Sequence, residues 1–193
     1  MDQVLPKNGD AFYIADAWST GQSHRILSEL QQGIAWEQTP IRIFGKSILQ
    51  PRLTAWYGDE GANYQYSGLL LKPRPWTPQL FSIKTRVEEL APSNFNSVLL
   101  NFYRTGQDSM GWHRDNEREL GHRPVIASAT FGATRRFLFR HRLEKSLKVE
   151  IELAPGSLLI MSGDCQESWE HSLPKTAKAM GPRINLTFRK IIY

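Results

Sequence analysis

The stretch Arg183-Ile184-Asn185-Leu186-Thr187-Phe188-Arg189, near the end of the 193-residue chain, decides the fold. Side chains of an extended strand alternate between two faces, so its four polar residues share one face and its three apolar residues share the other. This pattern predicts an antiparallel strand with a wet face and a dry face. A second interpretation is that the two guanidiniums on the polar face hold a dicarboxylate, because an arginine fork matches a carboxylate at two points.

Composition indicates one compact domain with a substantial core. The chain is 40% hydrophobic and 22% charged, and it shows no apolar run near the roughly 18 residues that span a bilayer and no signal-peptide layout. Its one cysteine, Cys165, excludes an internal disulfide and favours a reducing intracellular compartment, cytoplasmic in a bacterium or nuclear in a eukaryote. The net charge of +5 is compatible with a polyanionic partner. We expect a monomer with no membrane association.

Helix signals are followed by a run of strand signals. Ser19 or Thr20 can cap a first helix, and Pro78 suits the first turn of a second helix that ends before Pro92. Short strands at this spacing are typical of a sandwich or barrel. We therefore predict a mainly β (α+β) fold, a double-stranded β-helix or jelly roll with two helices packed outside. The predicted strands are Ser97–Tyr103, Val125–Phe131, Arg135–Arg140, Leu147–Leu153, Ser157–Met161, Ser168–Ser172 and Arg183–Ile192.

We expect a single domain over residues 1–193, because no linker or internal repeat interrupts the chain. Residues 1–15 are expected to form a loosely held N-terminal arm with a short strand around Phe12-Tyr13-Ile14. Hairpins are expected over about 36–70, and the jelly-roll core over about 96–192.

The motif that points to chemistry is a histidine and a carboxylate two residues apart. His113 and Asp115 lie on one side of an extended segment, and His171 follows on a later strand. Two histidines and one carboxylate on a β scaffold form the facial triad of non-haem Fe(II) oxygenases, which leaves coordination positions open. Each histidine by itself is more often an ordinary hydrogen-bonded residue, so the motif needs support from other residues.

That support comes from polar residues that can meet beside the metal. Arg183 follows His171 by twelve residues, so an adjacent antiparallel strand can bring it into the same mouth of the barrel, and Asn101 and Tyr103 share a strand face ten residues before the His-x-Asp motif. An amide, a phenol and two guanidiniums beside a metal suit 2-oxoglutarate, whose oxo-acid end chelates iron while its far carboxylate meets an arginine. A buried arginine pair without an anion would be costly.

Several short motifs carry a resemblance to a known family: Asn101-Phe102-Tyr103, His113-x-Asp115, His171, Arg183-x-Asn185-x-Thr187-x-Arg189, Ile126-Ala127-Ser128, Phe131-Gly132-Ala133-Thr134-Arg135 and Gly156-Ser157-Leu158-Leu159-Ile160-Met161. Together they resemble the signature of the AlkB-type Fe(II)/2-oxoglutarate dioxygenases, closest to the branch that repairs methylated bases in DNA. The likeness runs from about Phe44 to Ile192.

The resemblance implies an oxidative demethylase that acts on 1-methyladenine and 3-methylcytosine in DNA and converts 2-oxoglutarate to succinate while releasing formaldehyde. Such bases cannot pair normally, so flipping them out of the duplex costs less. Fe(II) would be held by His113, Asp115 and His171, which are also the predicted catalytic residues. The predicted co-substrate residues are Asn101, Tyr103, Arg183, Asn185 and Arg189.

The resemblance also assigns residues to the DNA, most of them within hairpins at about 36–70 that recognise the nucleotide. Tyr64 and Tyr66 match positions that contact and stack on the flipped base, with a packed tyrosine pair as the alternative. Glu117 matches an acidic position that contacts the base. Phe44 matches a hairpin wedge that fills the gap left by that base. Arg52 is a candidate for phosphate contact, with a solvated surface residue as the alternative.

Three other functions fit parts of the pattern. The chain could be an oxygenase of RNA or of a protein side chain, or a DNA-binding jelly roll without chemistry. A zinc hydrolase is least favoured, because hydrolysis gives no role to two arginines arranged for a dicarboxylate. We expect DNA with alkylated bases as the partner, with RNA as the alternative.

Overall fold

The computed structural model of the protein contains two facing antiparallel sheets. It describes residues 1–43, 46–66 and 69–192, with the backbone alone described for 41–43, 46–47, 64–66 and 69–71. The helices are α1 Thr20–Gly33, α2 Pro78–Leu90 and the one-turn α3 Cys165–Ser168, with a 3-10 turn at Arg118–Leu120. The strands are β1 Asp2–Gln3, β2 Asp10–Ile14, β3 Pro40–Ile43, β4 Lys46–Leu49, β5 Leu53–Gly58, β6 Tyr64–Tyr66, β7 Leu69–Leu71, β8 Ser97–Tyr103, β9 Met110–His113, β10 Ile126–Gly132, β11 Arg135–His141, β12 Lys148–Leu153, β13 Ser157–Ser162, β14 Trp169–Leu173 and β15 Arg183–Arg189.

Strand order identifies the architecture. The larger sheet runs β1-β2-β13-β10-β15-β8-β5 and the smaller one runs β12-β11-β14-β9, while β3–β4 and β6–β7 form separate hairpins. Two facing antiparallel sheets with such crossovers are the arrangement of a jelly roll, so the predicted mainly β fold is confirmed. None of the helices in the described ranges is both long and apolar enough to cross a membrane.

Helix α1 begins where the sequence predicts. Ser19 caps it, because its hydroxyl accepts from the backbone N–H of Gln22 while the Gln22 side chain accepts from the backbone N–H of Ser19. Ile26 and Leu30 lie one turn apart and are buried against the larger sheet. The helix packs on β10 and β15, and so covers the outer face of the two central strands.

Helix α2 also starts and ends as predicted. Thr77 accepts from the backbone N–H of Leu80, and Pro78 occupies the first turn, where its missing N–H is not needed. Leu80 and Val87 are fully buried, whereas Phe81 is 54% exposed because it points away from that face.

Strand β15 is central in the larger sheet, and neither of its faces is exposed to solvent. β15 pairs with β10 on one side and β8 on the other, and all seven of its residues are buried. Ile184, Leu186 and Phe188 face the core beneath the helices. The expected wet face is wrong, because the opposite face looks into the space between the two sheets.

The N-terminal arm differs from its prediction. A short strand is present at Asp10–Ile14, but it pairs with β13 along its length and belongs to the larger sheet. Leu5 and Ala11 are buried in the core between the sheets. The segment is therefore an integral strand, and the expectation of a loosely held arm over residues 1–15 does not hold.

Candidate active site

Strand pairing brings the predicted co-substrate residues together. Because β15 and β8 are antiparallel neighbours, Arg183 lies opposite Tyr103. In the same register Asn185 lies opposite Asn101. All predicted metal and co-substrate residues line one cavity between the sheets: Asn101, Tyr103, His113, Asp115, His171, Arg183, Asn185 and Arg189.

The two predicted histidine ligands are cross-strand neighbours in the smaller sheet. His113 on β9 lies opposite His171 on β14, with ring centroids 4.3 Å apart. Nδ1 of His113 lies 2.8 Å from the carbonyl oxygen of Gly111. When Nδ1 donates this hydrogen bond, Nε2 keeps a lone pair for a metal. The backbone turn of β9 therefore sets the tautomer that a ligand needs.

His171 is buried and uncharged at neutral pH. Burial, followed by the neighbouring His113, lowers the pKa of His171 to about 3, against the opposing effect of Asp115. Its buried Nδ1 has no hydrogen-bond partner among the described residues, and its Nε2 lies 3.9 Å from Oδ2 of Asp115, beyond hydrogen-bond distance. A neutral imidazole whose ring nitrogens make no such hydrogen bonds can offer a lone pair to a metal.

Asp115 is held by a guanidinium. Nη2 of Arg189 donates to Oδ1 of Asp115 at 2.7 Å, and both side chains are buried. Burial by itself would raise the pKa of Asp115, but Arg189 and the two histidines outweigh it and hold that pKa at about 2. The carboxylate is therefore ionised, as a metal ligand must be.

The donor set fits Fe(II), although no three His, Cys, Asp or Glu side chains within the described ranges are already gathered as a metal site. Two ligand atoms that each lie about 2.1 Å from one metal are roughly 3–4 Å from each other. The 3.9 Å between Nε2 of His171 and Oδ2 of Asp115 lies at the upper end of that range. Two neutral imidazoles and a carboxylate are the donors of the 2-His-1-carboxylate triad.

Arg183 is the strongest sign of an anionic ligand. It is 2% exposed, and its Nη2 donates to the hydroxyl of Thr130 at 2.9 Å. Its guanidinium lies 5.2 Å from the ring centroid of Tyr103. In the described part of the chain no carboxylate lies within ion-pair distance, and Nε has no partner. Burial lowers the pKa of Arg183 only to about 10, so a charged group faces the cavity without an anion.

Asn185, a predicted co-substrate residue, lines the cavity, but its amide group is already hydrogen-bonded within the protein. Its amide nitrogen donates to the hydroxyl of Ser128 at 2.7 Å and to the carbonyl of Ala129 at 3.0 Å, and its oxygen accepts from Thr187. Both amide hydrogens are therefore used within the protein. In this geometry Asn185 ties β15 to β10 and is not a free donor.

Arg52 differs from its predicted surface role. It is 3% exposed, and its Nε donates to Oδ1 of Asn101 at 2.7 Å. A side chain buried in this way does not fit a phosphate contact on the surface, nor does it fit the solvated alternative. The sequence could not show this contact, because the two residues lie 49 positions apart.

The remaining DNA-side predictions stay predictions. Phe44 lies outside the described residues. Tyr64 and Tyr66 lie on β6, opposite β7, with only their backbone described. Glu117 is half-buried two residues after Asp115, at the start of the 3-10 turn.

Two residues beside the site, Gln166 and Thr130, could not be found from the sequence. Gln166, on the one-turn helix before β14, is 1% exposed, and its side-chain oxygen accepts from the backbone N–H of Asp115 at 2.9 Å. Nothing in its local sequence marks it, because its partner is 51 residues away. Thr130 was missed for the same reason.

A jelly roll that gathers two histidines, a carboxylate and a buried arginine in one cavity defines a mononuclear metal oxygenase with an anionic co-substrate. A family model described as the 2OG-Fe(II) oxygenase superfamily matches residues 10–189. The chain therefore belongs to the 2OG-Fe(II) oxygenase superfamily and is a dioxygenase that uses Fe(II), 2-oxoglutarate and O₂.

Individual relatives agree with this assignment. The DNA oxidative demethylase ALKBH2 of Mus musculus is 42% identical over 181 residues, which cover 89% of this chain and 76% of that protein. ALKBH2 of Homo sapiens is 41% identical over the same length, covering 69% of that protein. The alpha-ketoglutarate-dependent dioxygenase alkB homolog 3 of Homo sapiens is 44% identical, covering 86% of this chain and 60% of that protein. The solved structure of OsALKBH1 matches with a TM-score of 0.67 at 20% identity, covering 97% of this chain and 100% of that one, and supports the fold.

Proposed function

We propose that this dioxygenase repairs DNA by oxidative removal of methyl groups from 1-methyladenine and 3-methylcytosine. The observation that carries the chemistry is the convergence of two histidines, whose pKa values burial lowers, and an ionised carboxylate with a buried arginine that has no carboxylate within ion-pair distance among the described residues. The DNA substrate is supported by relatives at 41–42% identity that are named DNA oxidative demethylases.

His113, Asp115 and His171 would hold the iron, with His113 ligating through Nε2. When bound by these residues, Fe(II) would supply the redox chemistry that couples reduction of O₂ to decarboxylation of 2-oxoglutarate to succinate. One oxygen atom enters the succinate and the other enters a C–H bond of the N-methyl group. The resulting N–CH₂OH group breaks at its C–N bond to give formaldehyde and the unmodified base.

Arg183 would pair with the far carboxylate of 2-oxoglutarate. This pairing gives a buried guanidinium the anion that its surroundings lack. Thr130 orients the guanidinium, and the Tyr103 ring covers one of its faces. Together these contacts would fix the direction in which the co-substrate lies, with its oxo-acid end toward His113 and His171.

The DNA side of the proposal rests on the hairpins β3–β4 and β6–β7, which form two separate small sheets. Tyr64 and Tyr66 on β6 are proposed to stack on the flipped base. Phe44, between β3 and β4 in sequence, is proposed to fill the space that the base leaves. Glu117 would contact the base edge.

The test uses purified protein, Fe(II), 2-oxoglutarate, ascorbate and a DNA oligonucleotide with one 1-methyladenine. We expect mass spectrometry to show loss of the methyl group, dependent on both iron and 2-oxoglutarate and absent in the Asp115→Ala variant. Succinate formed without methyl loss would overturn the DNA substrate and leave the oxygenase. A matched RNA oligonucleotide in competition separates RNA from DNA as substrate, and DNA binding without any succinate would indicate a silent binding protein.

A further inference from the structure

A charged side chain from outside the predicted co-substrate set contacts that set directly. Arg52 lies between β4 and β5, and both it and Asn101 on β8 are almost completely buried. Nε of Arg52 donates to Oδ1 of Asn101 at 2.7 Å, a short bond of the kind made by charged donors. Nη1 of Arg52 lies 3.4 Å from the carbonyl oxygen of Ser109, just before β9. Arg52 thus joins the strand of Asn101 to the segment that leads to His113.

The bond with Arg52 decides which end of the Asn101 amide faces the cavity. A free amide can rotate by half a turn and exchange its oxygen and nitrogen. A guanidinium has donors only, so the group that meets it must be the amide oxygen. The amide nitrogen of Asn101 must then point away from Arg52, and no described residue accepts a hydrogen bond from it. Because Asn101 lines the cavity, this nitrogen can donate to a molecule bound there.

The neighbours of Asn101 show what that nitrogen is for. Asn101 lies directly opposite Asn185 on β15, and Asn185 has both of its amide hydrogens in use. Of these two facing amides, Asn101 is the one with hydrogens to donate into the cavity. An amide N–H₂ group near the buried Arg183 favours an anionic acceptor, which fits a carboxylate of 2-oxoglutarate.

We propose that Arg52 is a positioning residue for 2-oxoglutarate: it holds the Asn101 amide so that its N–H₂ group donates to the co-substrate. This inference rests on the proposed co-substrate role of Asn101 and does not depend on the DNA substrate. It also gives Arg52 a role other than the phosphate contact that the sequence indicated.

The experiment measures 2-oxoglutarate binding directly, by calorimetry on the full protein loaded with Mn(II), which does not turn over. We expect Arg52→Met to weaken 2-oxoglutarate binding about tenfold, the effect of losing one well-placed hydrogen bond. Asn101→Ala should weaken it by a similar factor. Asn101→Asp should weaken it further, because it keeps the bond to Arg52 but replaces the donor with a second carboxylate oxygen.

The decisive result is the double variant. If Arg52 acts through Asn101, adding Arg52→Met to Asn101→Ala causes no further loss of 2-oxoglutarate affinity. Arg136→Met is the matched control, because Arg136 is an exposed arginine paired with Glu150 on the outer sheet face; it should bind 2-oxoglutarate as the parent protein does.

Melting temperature and Mn(II) affinity by electron paramagnetic resonance establish that each variant is folded. If Arg52→Met does not fold, Arg52→Lys replaces it, because it keeps the charge but loses the Nε donor, and it should still weaken binding. Unchanged 2-oxoglutarate affinity in a folded Arg52 variant would overturn the proposal. An equal loss in the presence and absence of Asn101 would overturn it too, by showing a general structural effect. In the parent protein, a lack of demethylation alongside normal 2-oxoglutarate binding would concern only the proposed DNA substrate.

Discussion

Arg189 and Asp115 form a buried ion pair, with Nη2 of the arginine 2.7 Å from Oδ1 of the aspartate. The pair joins the end of the strand that organises the larger sheet to the carboxylate proposed to bind iron. It also supplies the positive charge that keeps Asp115 ionised inside the protein. Arg189 therefore contacts the proposed metal ligand directly, whereas Arg183, at the other end of the same strand face, is proposed to bind the far carboxylate of the co-substrate.

Replacing Arg189 should make the fold depend on metal. Arg189→Met leaves a buried carboxylate without its partner, which should lower the free energy of unfolding of the metal-free protein by about 3–5 kcal/mol. A bound divalent cation restores positive charge beside Asp115. Thermal unfolding with and without Mn(II) should therefore show a larger metal-induced rise in melting temperature for the variant than for the parent. Equal rises would contradict a role of Arg189 in neutralising Asp115.

Replacing Arg183 should separate stability from co-substrate binding. Arg183→Met removes a buried guanidinium that has no carboxylate in the described structure, so without 2-oxoglutarate the variant should unfold at the same or higher urea concentration. Its affinity for 2-oxoglutarate should fall by about 2–5 kcal/mol, the cost of breaking a buried charge pair. Urea titration and calorimetry measure the two effects. A strong loss of stability with unchanged 2-oxoglutarate affinity would rule out the anchoring role.

Gln166 should matter for the metal through a backbone bond. Gln166→Ala removes the acceptor that holds the Asp115 N–H, and we expect Mn(II) affinity to fall about 10–100-fold, as when other outer-shell partners of metal ligands are lost. Electron paramagnetic resonance titration of Mn(II) gives the affinity. Gln32→Ala, on the exposed surface of α1, is the matched control and should bind Mn(II) normally. An unchanged affinity in Gln166→Ala would show that Asp115 is placed without it.

The alternation along β15 was sufficient to predict which four of its residues share one face, and the two histidines and the carboxylate predicted as metal ligands line the same cavity as that face. The burial of that face could not be predicted, because a strand with polar residues on one side looks the same whether that side meets water or a cavity. Whether that face is exposed or buried depends on the second sheet, which is formed by β9, β11, β12 and β14.

Contacts between distant segments were likewise out of reach. The bond from Arg52 to Asn101 and the bond from Asp115 to Gln166 each join residues about 50 positions apart, so they depend on strand register that no local pattern sets. Residues 1–15 looked like a loose arm for a related reason. Their strand pairs with β13, near the other end of the chain, and a five-residue strand signal does not show which strand it will pair with.

The turn between β8 and β9 should show a pH-dependent contribution to stability. Asp108 accepts three hydrogen bonds from Arg104, one from the backbone N–H and two from the guanidinium, at 2.8–2.9 Å. Burial would raise the pKa of Asp108, but these bonds outweigh it and hold that pKa below its ordinary 3.8. Because the folded pKa is lowered, the stabilisation is complete above about pH 4 and is lost as the pH falls further. Asp108→Asn should therefore cost about 1–3 kcal/mol at pH 7.

Urea unfolding between pH 7 and pH 3 tests this expectation on the parent and the Asp108→Asn variant. The difference in their free energies of unfolding should stay constant down to about pH 4 and shrink below it, because acid protonates the parent carboxylate and leaves the amide unchanged. Added salt should reduce the difference only in part, because the carboxylate is buried although Arg104 is partly exposed. Glu60→Gln, at an exposed position in another turn, serves as the control. A difference that stayed constant to pH 3 would mean that the charge of Asp108 does not stabilise the turn that links Asn101 and Tyr103 to His113.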